Sequence, residues 1–316
     1  MSSELLPGFE TQSRAGEVYV VHIIFFVLSV ITVLARLAAA RTSRRDLELD
    51  DWLALAAVVF IMGLFIGTML FLRFGLGRHE VVVEKEDHLN ITRYFQTMFA
   101  NEILYPLGLG CARLSLAVLY YRIFGLFSAR YYLYGVIAFI VAWTIYASVP
   151  TIVACTPVED FWKIRKNCID LARLYISTAV GSIVTDFTLI ILPIRYTLGL
   201  EMSYNQKALL VLVFVFGGFN CFITIIRLIK VTLFDFADPT WGTVDLMIWT
   251  GLEAYWTYNP GERETSFIEQ AFEAESPSLY LKKPQHVACR TPDEVLIEYY
   301  FIDKSLIETW TDSPPG

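Results

Sequence analysis

Charge is what most of this chain lacks. Only 18% of its 316 residues are Asp, Glu, Lys or Arg, against 55% hydrophobic and 15% aromatic. Lys and Arg are nowhere gathered into the basic patch a nucleic-acid surface needs, so no nucleic-acid partner is expected. Histidine is scarce too. His22, His79, His88 and His286 stand apart and lie near or outside the ends of the apolar runs. With the cysteines they form no closely spaced metal-ligand set, and no His/Asp/Glu group has catalytic spacing inside a run. The expectation is therefore no metal, no cofactor and no enzyme. The first residues lack a basic stretch followed by a short apolar one, so no cleaved signal peptide is expected.

Long apolar runs fill the space left by the missing charge. They cover Val18–Ala40, Trp52–Phe74, Phe95–Tyr121, Tyr132–Ala154, Ala172–Ile194 and Ala208–Phe234. A bilayer core about 30 Å thick takes roughly 20 apolar residues as a helix. The fold class is all-α, a polytopic transmembrane helical bundle in contact with the lipid bilayer. Residues 1–17 form a short N-terminal segment and 18–258 the membrane domain. A seventh run, Thr240–Tyr258, carries Asp245 and Glu253 and stops at Asn259-Pro260-Gly261. Each acid near a helix centre costs about 2.5–3.5 kcal/mol on insertion, so this span reads as degenerate or truncated. Residues 259–316 hold 11 acids and 5 bases and read as an acidic, partly disordered tail, with one amphipathic stretch at Glu294–Trp310.

Two marks bear on orientation. Asn90-Ile91-Thr92 is a glycosylation sequon, and Cys155 and Cys168 flank one polar loop as a candidate disulfide. By span count both lie on the face shared with the N-terminus, which is therefore expected outside. Cys111 and Cys221 fall inside runs, where a thiol acts as a small hydrophobe.

Ionisable residues inside spans are costly and mark sites by default. The candidates are Glu102, Arg113, Asp186, Arg227 and Glu253. At 1.5 Å per residue, Glu102 and Arg227 come out roughly a quarter of the way in from the outer face, and Arg113 and Asp186 about two-thirds. The expected pairs are Glu102 with Arg227, and Arg113 with Asp186 or Glu253. Plain interhelical ties would also explain them. Lys230 is expected to snorkel at the outer end of its span. Asn101, Asn220, Tyr105, Trp143 and Trp249 also suit either a cavity wall or packing.

A series of short motifs follows the spans: Arg44 with Asp50-Asp51-Trp52, Gly75-Leu76-Gly77-Arg78-His79, Arg113-Leu114-Ser115, and Leu119 to Phe124. Cys155-Thr156-Pro157 with Trp162 and Cys168, Thr185-Asp186-Phe187, Leu192-Pro193-Ile194, Lys207, Phe216 to Phe219, and Ile226-Arg227 complete it. Together they resemble the fungal rhodopsin-like integral membrane family, related to Pth-type receptors, over roughly residues 20–253. The resemblance implies a seven-helix receptor-like bundle with an unknown extracellular or membrane ligand and a possible cytosolic signalling partner. Arg113 stands where that family more often has Lys. Retinal is not expected, because Thr240–Tyr258 offers no Lys for a Schiff base. Tyr120-Tyr121-Arg122 replaces the Asp-Arg-Tyr of animal receptors, so no residue here shows coupling to a G protein. A transporter or channel, a structural subunit of a membrane complex, or a truncated non-signalling product are the alternatives.

Overall fold

The computed structural model describes residues 12–42, 49–86, 88–124, 130–162, 168–197, 204–234 and 238–275. The described residues form eight α-helices: α1 (Ala15–Thr42), α2 (Leu49–Arg73), α3 (Glu80–Glu86), α4 (His88–Phe124), α5 (Arg130–Ile152), α6 (Leu171–Thr197), α7 (Tyr204–Thr232) and α8 (Pro239–Glu275). The chain divides into a unit of Met1–Ala271 and a second of Phe272–Gly316. The second lies, beyond Glu275, outside the described residues, and so do the acidic tail past that point and its stretch Glu294–Trp310.

Among the described residues, six helices are long and apolar enough to cross a membrane: α1, α2, α4, α5, α6 and α7. In hydrocarbon every backbone polar group must be satisfied within the segment, which a helix does. The side-chain distribution agrees with a lipid setting. Leu34, Val59 and Leu233 are 60%, 68% and 73% exposed, while Arg113 and Glu253 are 1% and 0% exposed. A soluble protein would reverse that order.

α8 has no apolar window of that kind, yet it supplies residues to the packed interior. Val244 and Met247 pack with Val18, Phe71 and Tyr94; Tyr255 and Tyr258 with Val33, Ala57 and Ile61; Ala254 with Tyr105, Leu109 and Trp143. Both acids that weaken α8 as a span have partners. Asp245 pairs with Arg14 (2.7 Å) and Lys230 (2.9 Å), and Glu253 meets Arg227 (3.5 Å). Lys230, part-exposed at the end of α7, is tied to α8 through Asp245. Nor does α8 stop where the sequence suggested: the helix runs through Asn259-Pro260-Gly261 to Glu275.

The Gly-Leu-Gly-Arg-His turn fixes the start of α8 against α2 and the N-terminal segment. Gly75 and Gly77 have φ of 110° and 83°, a region L side chains rarely occupy. A Cβ on Gly77 would lie 2.7 Å from the Ala15 nitrogen. The Gly77 carbonyl accepts from the Arg14 N–H (2.9 Å), and the Gly77 N–H donates to the Thr240 carbonyl (3.0 Å). The Thr240 hydroxyl donates to the Arg78 carbonyl at 2.7 Å. Asp238 accepts from the backbone N–H groups of Trp241 (3.4 Å) and Glu80 (3.1 Å), capping α8 and reaching α3 at once. Its other oxygen lies 2.5 Å from His79 Nδ1, and the His79 ring stacks on Trp241 at 4.3 Å.

On the same face, a disulfide joins Cys155 to Cys168. The Ile169 N–H donates to the Ala154 carbonyl (2.8 Å), and a 3-10 turn at Val158–Phe161 sets Phe161 and Trp162 against Phe99 of α4.

Candidate functional site: a buried charge network beside a polar cavity

Four helices contribute to one buried cluster. Arg113 of α4 places Nη2 2.8 Å from Asp186 Oδ1 of α6 and donates from Nε to the same oxygen (3.0 Å). Its Nη2 also donates to the Ser182 hydroxyl at 2.6 Å and lies 3.7 Å from Glu253 Oε1 of α8. Ser182 in turn donates to Glu253 Oε1 (2.8 Å), so one hydroxyl bridges the arginine and the second acid. The Thr224 hydroxyl of α7 donates to Asp186 Oδ2 at 3.3 Å. Arg227 closes the cluster, donating from Nη1 to Glu253 Oε2 (3.5 Å) and from Nε to the Thr250 hydroxyl (3.2 Å).

Each guanidinium also covers an aromatic ring. Arg113 sits 4.7 Å over Trp143 of α5, and Arg227 sits 4.6 Å over Tyr105 of α4. Such cation–π contacts retain favourable electrostatics where water is scarce. Trp143 is itself held by donation of its indole N–H to the Thr178 carbonyl at 3.3 Å.

The sequence pattern behind the network is visible in hindsight. Ser182 precedes Asp186 by one turn, Thr224 precedes Arg227 by three residues, and Thr250 precedes Glu253 by three. At those spacings a hydroxyl and a charge share a helix face. The three hydroxyl residues are the members that reading charges alone overlooks.

Arg227 does not take Glu102 as its ion-pair partner; it bonds Glu253 and Thr250. Glu102 has no hydrogen-bond or ion-pair partner among the described residues, and the charge of Arg227 acts on it at longer range. Both residues line a narrow cavity with His22, Leu64, Thr68, Asn101, Tyr105 and residues of α8 from Met247 to Tyr255. Glu102, Tyr105 and Arg227 also line a neighbouring small cavity against α5 and α6. Tyr175 also lines a separate apolar pocket, walled by Phe95, Met98, Val231 and Leu246 near the N-terminal face.

His22, near the start of its run, is 3% exposed and set against the other helices of the bundle. Nε2 lies 3.3 Å from the Met247 carbonyl and Nδ1 3.3 Å from the Tyr255 hydroxyl. Gly251 makes room for it, since a Cβ there would stand 2.4 Å from the imidazole. Asn101 is 5% exposed, and neither of its amide atoms has a partner among the described residues. Asn220 accepts from Thr257 at 3.1 Å. Asn90 stands in the first turn of α4.

A membrane bundle with hydrophobic flanks and an arginine–carboxylate network at its centre is the class that these features define. The chain matches the fungal rhodopsin domain over residues 35–257 and belongs to that family. It is 27% identical over 270 residues to the polyenoic acids biosynthesis gene cluster protein Ba17b of Metarhizium anisopliae, covering 80% of this chain and 72% of that protein. The wortmanamides biosynthesis cluster protein C of Talaromyces wortmannii is 22% identical, with 75% of this chain and 66% of that protein aligned. A SAT4 family membrane protein of Emericella nidulans is 29% identical over 53% of this chain and 44% of its own length. No solved structure matches the chain.

Proposed function

We propose that this protein is a receptor-like membrane protein whose cavity takes a small organic molecule and whose charge network carries the state of that cavity into the bundle. The observation behind this reading is that Arg227 belongs to both. It lines the cavity and bonds Glu253, which shares Ser182 with Arg113, which holds Asp186. A molecule bound beside Arg227 alters the field in which it holds Glu253 and so biases the packing of α4, α6 and α8. A ligand-driven population shift needs a second arrangement of this network, with Arg227 released from Glu253.

The names of two relatives, tied to clusters for polyenoic acids and wortmanamides, support a small molecule over a protein ligand. The Cys155–Cys168 disulfide supports placing the N-terminal face on the oxidising, outer side. The apolar pocket lies near that face, which suits arrival from outside or from the outer leaflet.

The test is a distance measurement between spin labels at Tyr134 and Phe214, exposed positions on α5 and α7. Glu253→Gln removes the charge from the Arg227 link while nearly keeping the shape. The receptor reading expects a shifted or broadened distance distribution relative to wild type. An identical distribution in a folded variant overturns it.

A further inference from the structure

We propose that the cavity selects an organic cation: a protonated amine whose ammonium lies between the Glu102 carboxylate and the Asn101 carboxamide oxygen, with its apolar part against Leu64, Met247 and Ala254. This rests on the cavity being a ligand site. The charge balance sets the sign. Arg113 and Arg227 are matched by Asp186 and Glu253 through the contacts above, which leaves Glu102 as the surplus charge. Glu102 is the member of the set without a hydrogen-bond partner among the described residues.

His22 does not supply the missing positive charge. A neutral imidazole already satisfies both ring nitrogens, with Nε2–H donating to the Met247 carbonyl and Nδ1 accepting from the Tyr255 hydroxyl. Thr68 turns its hydroxyl back to the Leu64 carbonyl at 2.9 Å. Arg227 is held by Glu253 and Thr250 and faces Tyr105.

Asn101 is an independent mark of a ligand. A buried amide with neither oxygen nor nitrogen satisfied is costly unless something supplies partners. Its side chain lies over Gly67, where a Cβ would stand 2.0 Å from Oδ1, and it lines the same cavity as Glu102 one residue on. An ammonium has donors for both the carboxylate and the amide oxygen. A carboxylate ligand would add a second negative charge beside Glu102 and has no donor to offer it.

The experiment compares hexylamine, hexanoate and hexanamide, probes of matched length, by the thermal stabilisation each gives the purified full chain in detergent. Wild type, Glu102→Gln and Asn101→Asp are run together. The expected result is stabilisation by hexylamine alone, affinity at least roughly tenfold weaker in Glu102→Gln, and tighter amine binding in Asn101→Asp. If hexanoate or hexanamide binds as well as the amine, or Glu102→Gln keeps full amine affinity, the cation inference is overturned while the receptor reading stands. If no probe stabilises wild type, the cavity is not a site for such molecules and both fall. Should Glu102→Gln fail to fold, Asn101→Asp decides: unchanged or weaker amine binding overturns the proposal.

Discussion

Arg113 and Asp186, on helices α4 and α6, are joined by two contacts of 2.8 and 3.0 Å inside a protein whose outer face is hydrophobic. Breaking such a pair on one side leaves a charge with nowhere to go. Arg113→Met or Asp186→Leu alone is expected to cost about 3–5 kcal/mol. The double variant leaves Arg227 with Glu253 and should recover most of that loss. Thermal stability in detergent for the four combinations measures the coupling; strictly additive losses would mean the two side chains do not act as a pair.

The two acids of α8 should behave differently. Asp245 is part-exposed between Arg14 and Lys230, and the carboxylates of Glu17 and Asp245 hold the Arg14 guanidinium above its usual range. Screening limits such exposed pairs to about 0–1 kcal/mol, so Asp245→Asn is expected to have a small effect that shrinks further in high salt. Glu253, fully buried, is expected to cost several times more as Gln, with no salt dependence. Melting curves at low and high salt separate the two.

Gly77→Ala tests the turn that fastens α8. The left-handed backbone costs about 1–2 kcal/mol for an L residue, and the added methyl meets the Ala15 nitrogen. The variant should melt earlier and expose the N-terminal segment to protease. Gly16→Ala, where nothing lies within 4 Å of the new methyl, serves as the neutral control.

The disulfide closes a loop of 13 residues in sequence separation. Chain-entropy reasoning gives about 3 kcal/mol for a loop of that order. Reduction, or Cys155→Ser with Cys168→Ser, should lower stability by a similar amount and loosen Phe161 and Trp162 from Phe99. Tryptophan fluorescence with and without reductant reports both.

Much of the bundle could be read directly because lipid imposes a length and a composition on each crossing. Six apolar runs correspond to six helices for that reason. Charges such as Arg113 and Glu253 stood out because hydrocarbon penalises them. Partner choice was harder to read. Arg227 lies within reach of two acids, and only the packing of α7 on α8 decides for Glu253. The burial of His22 was not legible, since periodicity cannot show that Gly251 opens space for an imidazole. The continuation of α8 past Pro260 was hidden because proline and glycine normally end helices, and the His79–Asp238 contact joins residues 159 apart in sequence.

The site requires α8 to cross the membrane, since α8 brings Glu253 and Thr250 to Arg227. The direct measurement is the side on which each end of the full chain lies, using a glycosylation acceptor and an epitope at Met1 and at Gly316 in intact cells. Seven crossings predict opposite sides, with the N-terminal tag glycosylated and the C-terminal tag reached only after permeabilisation. Both ends on the same side would mean six crossings, and a buried network completed by α8 would be contradicted.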